Sequence, residues 1–288
     1  MNRLALYDRV ADETASTVIR RYSTSFGLAS RLLGPGVRQP VENVYALVRI
    51  ADEIVDGASE EAGLDREGAR TALDTLERET EHALRVGYSS NLVVHAFARS
   101  ALAAGFGSDL TRPFFASMRM DLDQTVHDEA SFDAYVYGSA EVVGLMCLRI
   151  FLIGHAVDAA TEERLVHGAR RLGAAFQKVN FLRDLAADYE SLGRSYFPGV
   201  DVPTFTEVDK ARLLDDIDAD LRASAAVLAE LPPSSRRAVC LAQGLFAELA
   251  ARLRATPASH LVRARVRVPN PVKLRIAAAA ALGRIPPA

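Results

Sequence analysis

The sequence predicts an all-α protein, and three observations carry the prediction. Long segments rich in Ala, Leu, Arg and Glu, strong helix formers, lie between a few glycine and proline clusters. Alternating β-branched runs bounded by hairpin signals are nearly absent, Val262–Val268 being the one short exception, read as a loop or a brief extended stretch. No fixed-period repeat or low-complexity linker interrupts the pattern, so residues 1–288 read as a single helical domain of about ten helices.

Taken in order, the predicted helices are 8–33, 39–57, 65–86, 89–104, 109–126, 131–154, 160–191, 206–230, 234–255 and 271–283. The first ends against Gly34-Pro35-Gly36, the fourth before Gly105 and Gly107, and the seventh before Gly193. Thr206, followed by Glu207 and Asp209, supplies an N-cap and an acidic first turn for the eighth. Pro232-Pro233 closes that helix, and Ser234 or Ser235 can cap the next, which stops before Pro257. Pro269 and Pro271 precede the last, and Pro286-Pro287 follow it.

Charge and composition exclude several classes. With 34 Lys and Arg against 37 Asp and Glu, the net charge of −3 argues against nucleic acid as the main partner, because a phosphate backbone selects a basic surface. No run of 18 apolar residues is present, so no transmembrane segment is expected. The polar, acidic N-terminus does not read as a signal peptide, and Cys147 and Cys240 sit in apolar helical surroundings that suit reduced thiols; a cytoplasmic location is expected.

Two segments depart from charge on a solvated face. In Tyr45-Ala-Leu-Val-Arg49-Ile-Ala-Asp52-Glu53-Ile-Val-Asp56, Asp52 and Asp56 lie four apart, one helical turn along the same stripe, with Arg49 and Tyr45 continuing it backwards. In Gln177-Lys-Val-Asn180-Phe-Leu-Arg183-Asp184-Leu-Ala-Ala-Asp188, Asn180, Asp184 and Asp188 recur every four residues. Both segments are otherwise apolar, so the acids face inward or into a cleft. Two carboxylates at this spacing repel, more so when desolvated, and a cation between them relieves the cost. Oxygen ligands with an amide suggest Mg²⁺, with Mn²⁺ as a substitute, completed by substrate phosphates. Either pair alone reads equally as a solvated acidic face paired with its arginine; two such pairs on apolar helices favour a metal–diphosphate site.

At these residues the sequence resembles the squalene/phytoene synthase family, the head-to-head prenyl transferases. Its first aspartate-rich motif is met from Tyr45 to Asp56 and its second from Gln177 to Asp188. Further matches are Ser23-Thr24-Ser25-Phe26, the segment from Tyr135 through Tyr137, Gly138, Val143 and Gly144 to Met146, and Gly193-Arg194-Ser195-Tyr196-Phe197-Pro198. The likeness covers about residues 16–200, with 201–288 a helical C-terminal part. It implies the class I isoprenoid synthase fold, helices around a central cavity, and the joining of two identical allylic diphosphates through a cyclopropyl diphosphate.

Carried over by position, the resemblance implies that Asp52 and Asp56 hold metal on one wall, and Asn180, Asp184 and Asp188 on the other. Arg49, Arg183, Ser23, Ser25 and Tyr45 then contact diphosphate, with Arg265 from the basic tail. Tyr135, Gln177 and Tyr196 line the cavity as polar groups, and Phe26 and Val143 as apolar wall. The carotenoid branch is favoured: two geranylgeranyl diphosphates give phytoene without NADPH. Squalene or dehydrosqualene synthesis from two farnesyl diphosphates is the alternative; a non-catalytic binding or assembly factor and a one-substrate terpene cyclase are the other readings.

Departures and discounted signals complete the reading. Glu53 stands where aspartate is common and is expected to point away from the Asp52–Asp56 stripe; Glu141 replaces a common glycine; Phe246 stands where a tyrosine is frequent; and the spacer from Asp188 to Arg194 is one residue long of the usual. Asp121 and Asp123 are off-phase with each other and are expected to be structural, and the six histidines, without ligand spacing, are expected at the surface or satisfied in the core. The run Arg263, Arg265, Arg267, Lys273 and Arg275 reads as a cover over diphosphate, a peripheral membrane contact on anionic lipid, or a solvated face.

Overall fold

The computed structural model describes residues 2–23 and 25–284, without the side chains of Ser25, Ser191 and Leu192; the Ser25 assignment and Pro286-Pro287 therefore lie outside the described residues. In chain order the helices are α1 (Arg3–Tyr22), α2 (Ser25–Ser30), α3 (Pro35–Asp56), α4 (Ala58–Glu61), α5 (Arg66–Val86), α6 (Leu92–Ala104), α7 (Ser108–Asp123), α8 (Glu129–Val136), α9 (Val142–Phe151), α10 (Ala159–Leu192), α11 (Glu207–Ala225), α12 (Pro233–Ala255), α13 (Ala258–Leu261) and α14 (Asn270–Ala281). A π-turn, Tyr137–Glu141, joins α8 to α9, and 3₁₀ turns occur at Val202–Thr204 and Leu228–Glu230. Among the described residues the only β-type pairing is an isolated bridge between Val126 and Ser195.

All ten predicted helices are present with shifted ends, and the differences have local causes. The 8–33 helix breaks at Ser23, whose backbone is extended and whose Oγ accepts the amide of Phe26, 3.1 Å away, opening a second short helix. The next helix starts earlier than predicted, at Pro35, since proline at the first helical position needs no donor. Ser234 and Ser235 do not cap α12: it begins at Pro233, Ser235 Oγ bonds the Pro232 carbonyl, and the buried Ser234 Oγ has no partner. Thr206 and Asp209 do form the expected capping box on α11. Val262–Val268 is a loop that opens with a turn at Val262–Ala264, its arginines exposed and its valines half-buried or buried.

Two hydrophobic clusters build the interior. One joins α1, α3, α5, α6, α7, α9 and part of α12; the other gathers aromatic and aliphatic groups from α8, α10, the 196–205 segment, α11 and the rest of α12. Phe176 packs against both. The run Glu129–Phe151 has the length and apolarity of a membrane span, but Val142, Met146 and Ile150 are wholly buried and α9 packs on α10, α7, α3 and α6, as a core helix does.

The π-turn comes from close helix approach. A Cβ on Gly138 would meet Ser117 Oγ at 2.1 Å and the Pro113 carbonyl oxygen at 2.2 Å, and one on Gly173 would meet the Ala140 oxygen at 2.5 Å. Backbone-to-backbone contact at these points wedges the turn between α7 and α10. Glu141, on that turn, is buried and paired with Arg170 at 2.6 Å, whose guanidinium lies over the Tyr137 ring, which accounts for the extra carboxylate.

Candidate active site

The last two turns of α3 set the first wall. Asp52 keeps 34% of its side-chain surface, yet burial and the charge of Asp56 one turn on push its pKa up to about 7. Arg49 lies 4.0 Å from Asp52, stacks on the Tyr22 ring at 4.7 Å and is paired with Glu53. Glu53 thus differs from expectation: instead of pointing away, it is the arginine's main partner, because i and i+4 share a helix face. Arg49 Nε remains buried with no hydrogen-bond partner, a donor left for an anion. Tyr45, one turn earlier, shares a hydrogen bond with the Ser23 side chain at the helix break, and burial raises its phenol pKa.

The C-terminal half of α10 sets the second. Burial, the charge of Asp184 and then that of Asp56 push Asp188 up to about 7. Asp56 on α3 is thus near enough to Asp188 on α10 for their charges to oppose. Asp184 is held by Arg183 beside it and by Arg265 from the tail, at 2.7 Å, so the tail closes on this wall. Asn180 and Gln177 follow half-buried up the same helix.

Arg194 links the walls. α10 runs to Leu192 and ends in a left-handed glycine cap: Gly193 has φ 63°, its amide bonds the Tyr189 carbonyl, and the Arg194 amide bonds that of Asp188. The longer spacer is thus taken up by a capped helix end that turns the chain back across the site. The Arg194 guanidinium, 6% exposed, then meets Asp56 Oδ1 at 2.5 Å, Tyr196 OH at 3.1 Å and the Asp121 carbonyl at 2.8 Å.

Behind it lies a polar network that sequence reasoning missed. Asp121 is not a remote structural acid. It is buried, it accepts from Tyr135 OH at 2.8 Å and Tyr196 OH at 3.4 Å, and burial together with Asp56 holds its carboxyl well above the usual range. Burial also raises both phenols. The signal was present: Leu110, Phe114, Ser117, Met118 and Asp121 form the buried stripe of α7, while Asp123 leaves it to pair with Arg70. His127, expected at the surface or satisfied, is buried and stacked on Tyr196 with Nδ1 unpartnered; His95 is the satisfied core case, bonded to Asp8.

Apolar groups flank the acids. Phe176 and Phe246 stack at 3.8 Å, with Phe26 5.8 and 5.9 Å from them and 6.3 Å from Tyr45, so the phenylalanine that stands for a tyrosine joins an aromatic cluster beside the first wall. Val143 is half-buried on α9. A crevice too narrow to hold a water molecule lies between Phe181, Leu185, Asp188, Arg194, Tyr196 and Phe197.

The donor chemistry fits a divalent cation. Among the described residues no three carboxylate, histidine or cysteine side chains converge on one point. Mg²⁺, however, is usually held by one or two carboxylates with water and phosphate, and each wall offers such a pair. Burial and a neighbouring acid raise Asp52 and Asp188 to about 7 despite the arginines near them, a cost that a bound cation would relieve.

Comparison with known proteins identifies the family. The squalene/phytoene synthase family model matches residues 19–271, and the chain belongs to that family. It is therefore an enzyme of the prenyltransferase kind. Phytoene synthase of Mycobacterium tuberculosis is 30% identical over 283 residues, covering 92% of this chain and 88% of that one, and phytoene synthase of Pseudescherichia vulneris is 27% identical over 267 residues. A chloroplastic phytoene synthase of Zea mays is 34% identical over 197 residues, of which the match spans 43% of the maize protein. Among solved structures, a dehydrosqualene synthase superposes with a TM-score of 0.74 at 20% identity over 96% of this chain and 97% of its own, and a squalene synthase from Alicyclobacillus acidocaldarius with 0.73 at 21% over 87% and 95%, which establishes a common fold.

Proposed function

We propose that this enzyme condenses two geranylgeranyl diphosphates head to head, through a cyclopropyl (prephytoene) diphosphate, to phytoene in carotenoid biosynthesis. The observation that carries the reading is that the acid-bearing ends of α3 and α10 come together at Arg194, whose side chain bonds Asp56 and whose amide bonds the Asp188 carbonyl. Similarity to bacterial phytoene synthases over 85% and 92% of the chain supports the choice of product. The fold shared with squalene and dehydrosqualene synthases supports farnesyl diphosphate as the second reading.

Asp52, Asp56, Asn180, Asp184 and Asp188 would hold Mg²⁺, or Mn²⁺ in its place. The metal supplies positive charge that offsets the negative charge developing on departing diphosphate. Arg49, Arg183 and Arg265 add guanidinium charge at the same oxygens, Arg49 through its unsatisfied Nε, and Ser23 and Tyr45 add hydroxyl donors. Phe26, Phe176 and Val143 exclude water from the allylic cation. In the first half-reaction one diphosphate leaves, carbon bonds to carbon and a proton is lost; in the second the remaining diphosphate leaves, the cyclopropane opens and a second proton is lost. Tyr135, Tyr196 and Gln177 are the polar groups set to receive those protons or to orient the cation. No reductant enters that balance, whereas squalene requires a hydride, so NADPH is not expected. The basic tail and Leu274 beside it also suit a peripheral contact with anionic lipid on the inner face of a cytoplasmic membrane.

The test is incubation with farnesyl and geranylgeranyl diphosphate separately, with and without NADPH, reading the hydrocarbon by mass. Phytoene from geranylgeranyl diphosphate alone supports the reading; a thirty-carbon product only contradicts it.

A further inference from the structure

We propose that Asp121 is a positioning residue, anchoring Arg194 and the phenols of Tyr135 and Tyr196 at the diphosphate face of the site. This rests on the reading that the site binds diphosphate. Four elements converge here: Asp56 from α3, Asp121 from α7, Tyr135 from α8, and Arg194 with Tyr196 from the segment after α10. The Asp121 side chain is 2% exposed, with Oδ1 3.7 Å from Arg194 Nη1, while its own carbonyl accepts from Nη2. It is too enclosed to meet a metal, and two of its partners, Arg194 and Tyr196, line the crevice beside Asp188. The second charged partner of the guanidinium is Asp56, a predicted metal ligand. Once Asp56 is engaged by a cation, Asp121 is the remaining acidic partner that keeps Arg194 in place to meet the diphosphate.

The experiment is a double-mutant cycle on pyrophosphate binding. Free Mn²⁺ is followed by electron paramagnetic resonance, and pyrophosphate binding at saturating Mn²⁺ by calorimetry, for wild type, Asp121→Asn, Arg194→Gln and the double variant. Asp121→Asn should weaken pyrophosphate by at least about tenfold, leaving Mn²⁺ binding within about threefold, and the double variant should lose no more than Arg194→Gln alone, since the two act as one unit. Independent, additive losses, or pyrophosphate binding within about twofold of wild type in Asp121→Asn, overturn the proposal. With eight tyrosines and no tryptophan, near-ultraviolet circular dichroism reports the phenols directly and shows whether each variant is folded. Should Asp121→Asn not fold, Asp121→Ser removes the same charge with less volume, and Asp121→Glu, which keeps the charge, should restore binding to within about threefold if charge is what matters. A wild type that binds manganese and pyrophosphate yet condenses no prenyl diphosphate defeats the proposed function and leaves the Asp121 cycle readable. Additivity in an active enzyme defeats Asp121 alone, and a wild type that binds neither defeats both.

Discussion

Arg194 and Asp56, 138 residues apart in sequence, meet at 2.5 Å and tie the end of α3 to the segment that follows α10. Arg49, Arg183 and Arg265 each pair with acids of one wall, whereas this guanidinium comes from a segment joined to both. Arg194→Ala removes it, leaving Asp56 without its ion-pair partner and Asp121 with only the phenols of Tyr135 and Tyr196. Loss of one partner from a largely buried pair costs about 3–5 kcal/mol, lessened here by the partial exposure of Asp56. Urea unfolding of the metal-free protein should show a clear loss, most of it recovered on addition of Mg²⁺.

Asp52→Asn should separate stability from function. It removes one of two repelling carboxylates, so the metal-free variant should melt higher than wild type at pH 8, while turnover falls by at least about a hundredfold. Calorimetric melting and a product assay check both halves.

The pH dependence has a definite sign. Asp52 and Asp188 titrate near 7 in the fold and near 3.8 in the unfolded chain, so the native state binds more protons across that interval. Stability of the metal-free protein should therefore be highest at the acid end of the window and fall as pH rises from about 4 to 7 on account of these two groups. Metal requires the deprotonated carboxyls, so the rise in melting temperature on adding Mg²⁺ should be full at pH 8 and small at pH 5.5.

Much of this site was legible because its logic is local. Asp52 and Asp56, and Asn180, Asp184 and Asp188, declare themselves by four-residue spacing on apolar helices, and the geometry keeps each set on one wall. What was not legible depended on contacts far away in sequence. Asp121 gains its meaning only when α8 and the post-α10 segment deliver Tyr135, Tyr196 and Arg194 to it. Glu53 was misread by weighing it against the aspartates instead of against Arg49 one turn before. The break at Ser23 and the π-turn at Tyr137–Glu141 interrupt runs of good helix formers, one through a side-chain bond to backbone and the other through the approach of neighbouring helices.

The π-turn gives a packing prediction. Gly138→Ala places a methyl within 2.2 Å of both Ser117 Oγ and the Pro113 carbonyl oxygen, a backbone contact that a rotamer change does not relieve. A loss of about 1–3 kcal/mol is expected, from a shift in urea midpoint, with Tyr135 and hence the Asp121 network displaced.

The central claim is that opposed acid walls release diphosphate from two prenyl chains joined to each other. The most direct measurement counts pyrophosphate against hydrocarbon when the wild-type enzyme is given geranylgeranyl diphosphate and Mg²⁺. The account predicts two pyrophosphates released per phytoene, with both stopped by a chelator and by Asp188→Ala. Undiminished release with the chelator present, or in Asp188→Ala, would contradict it.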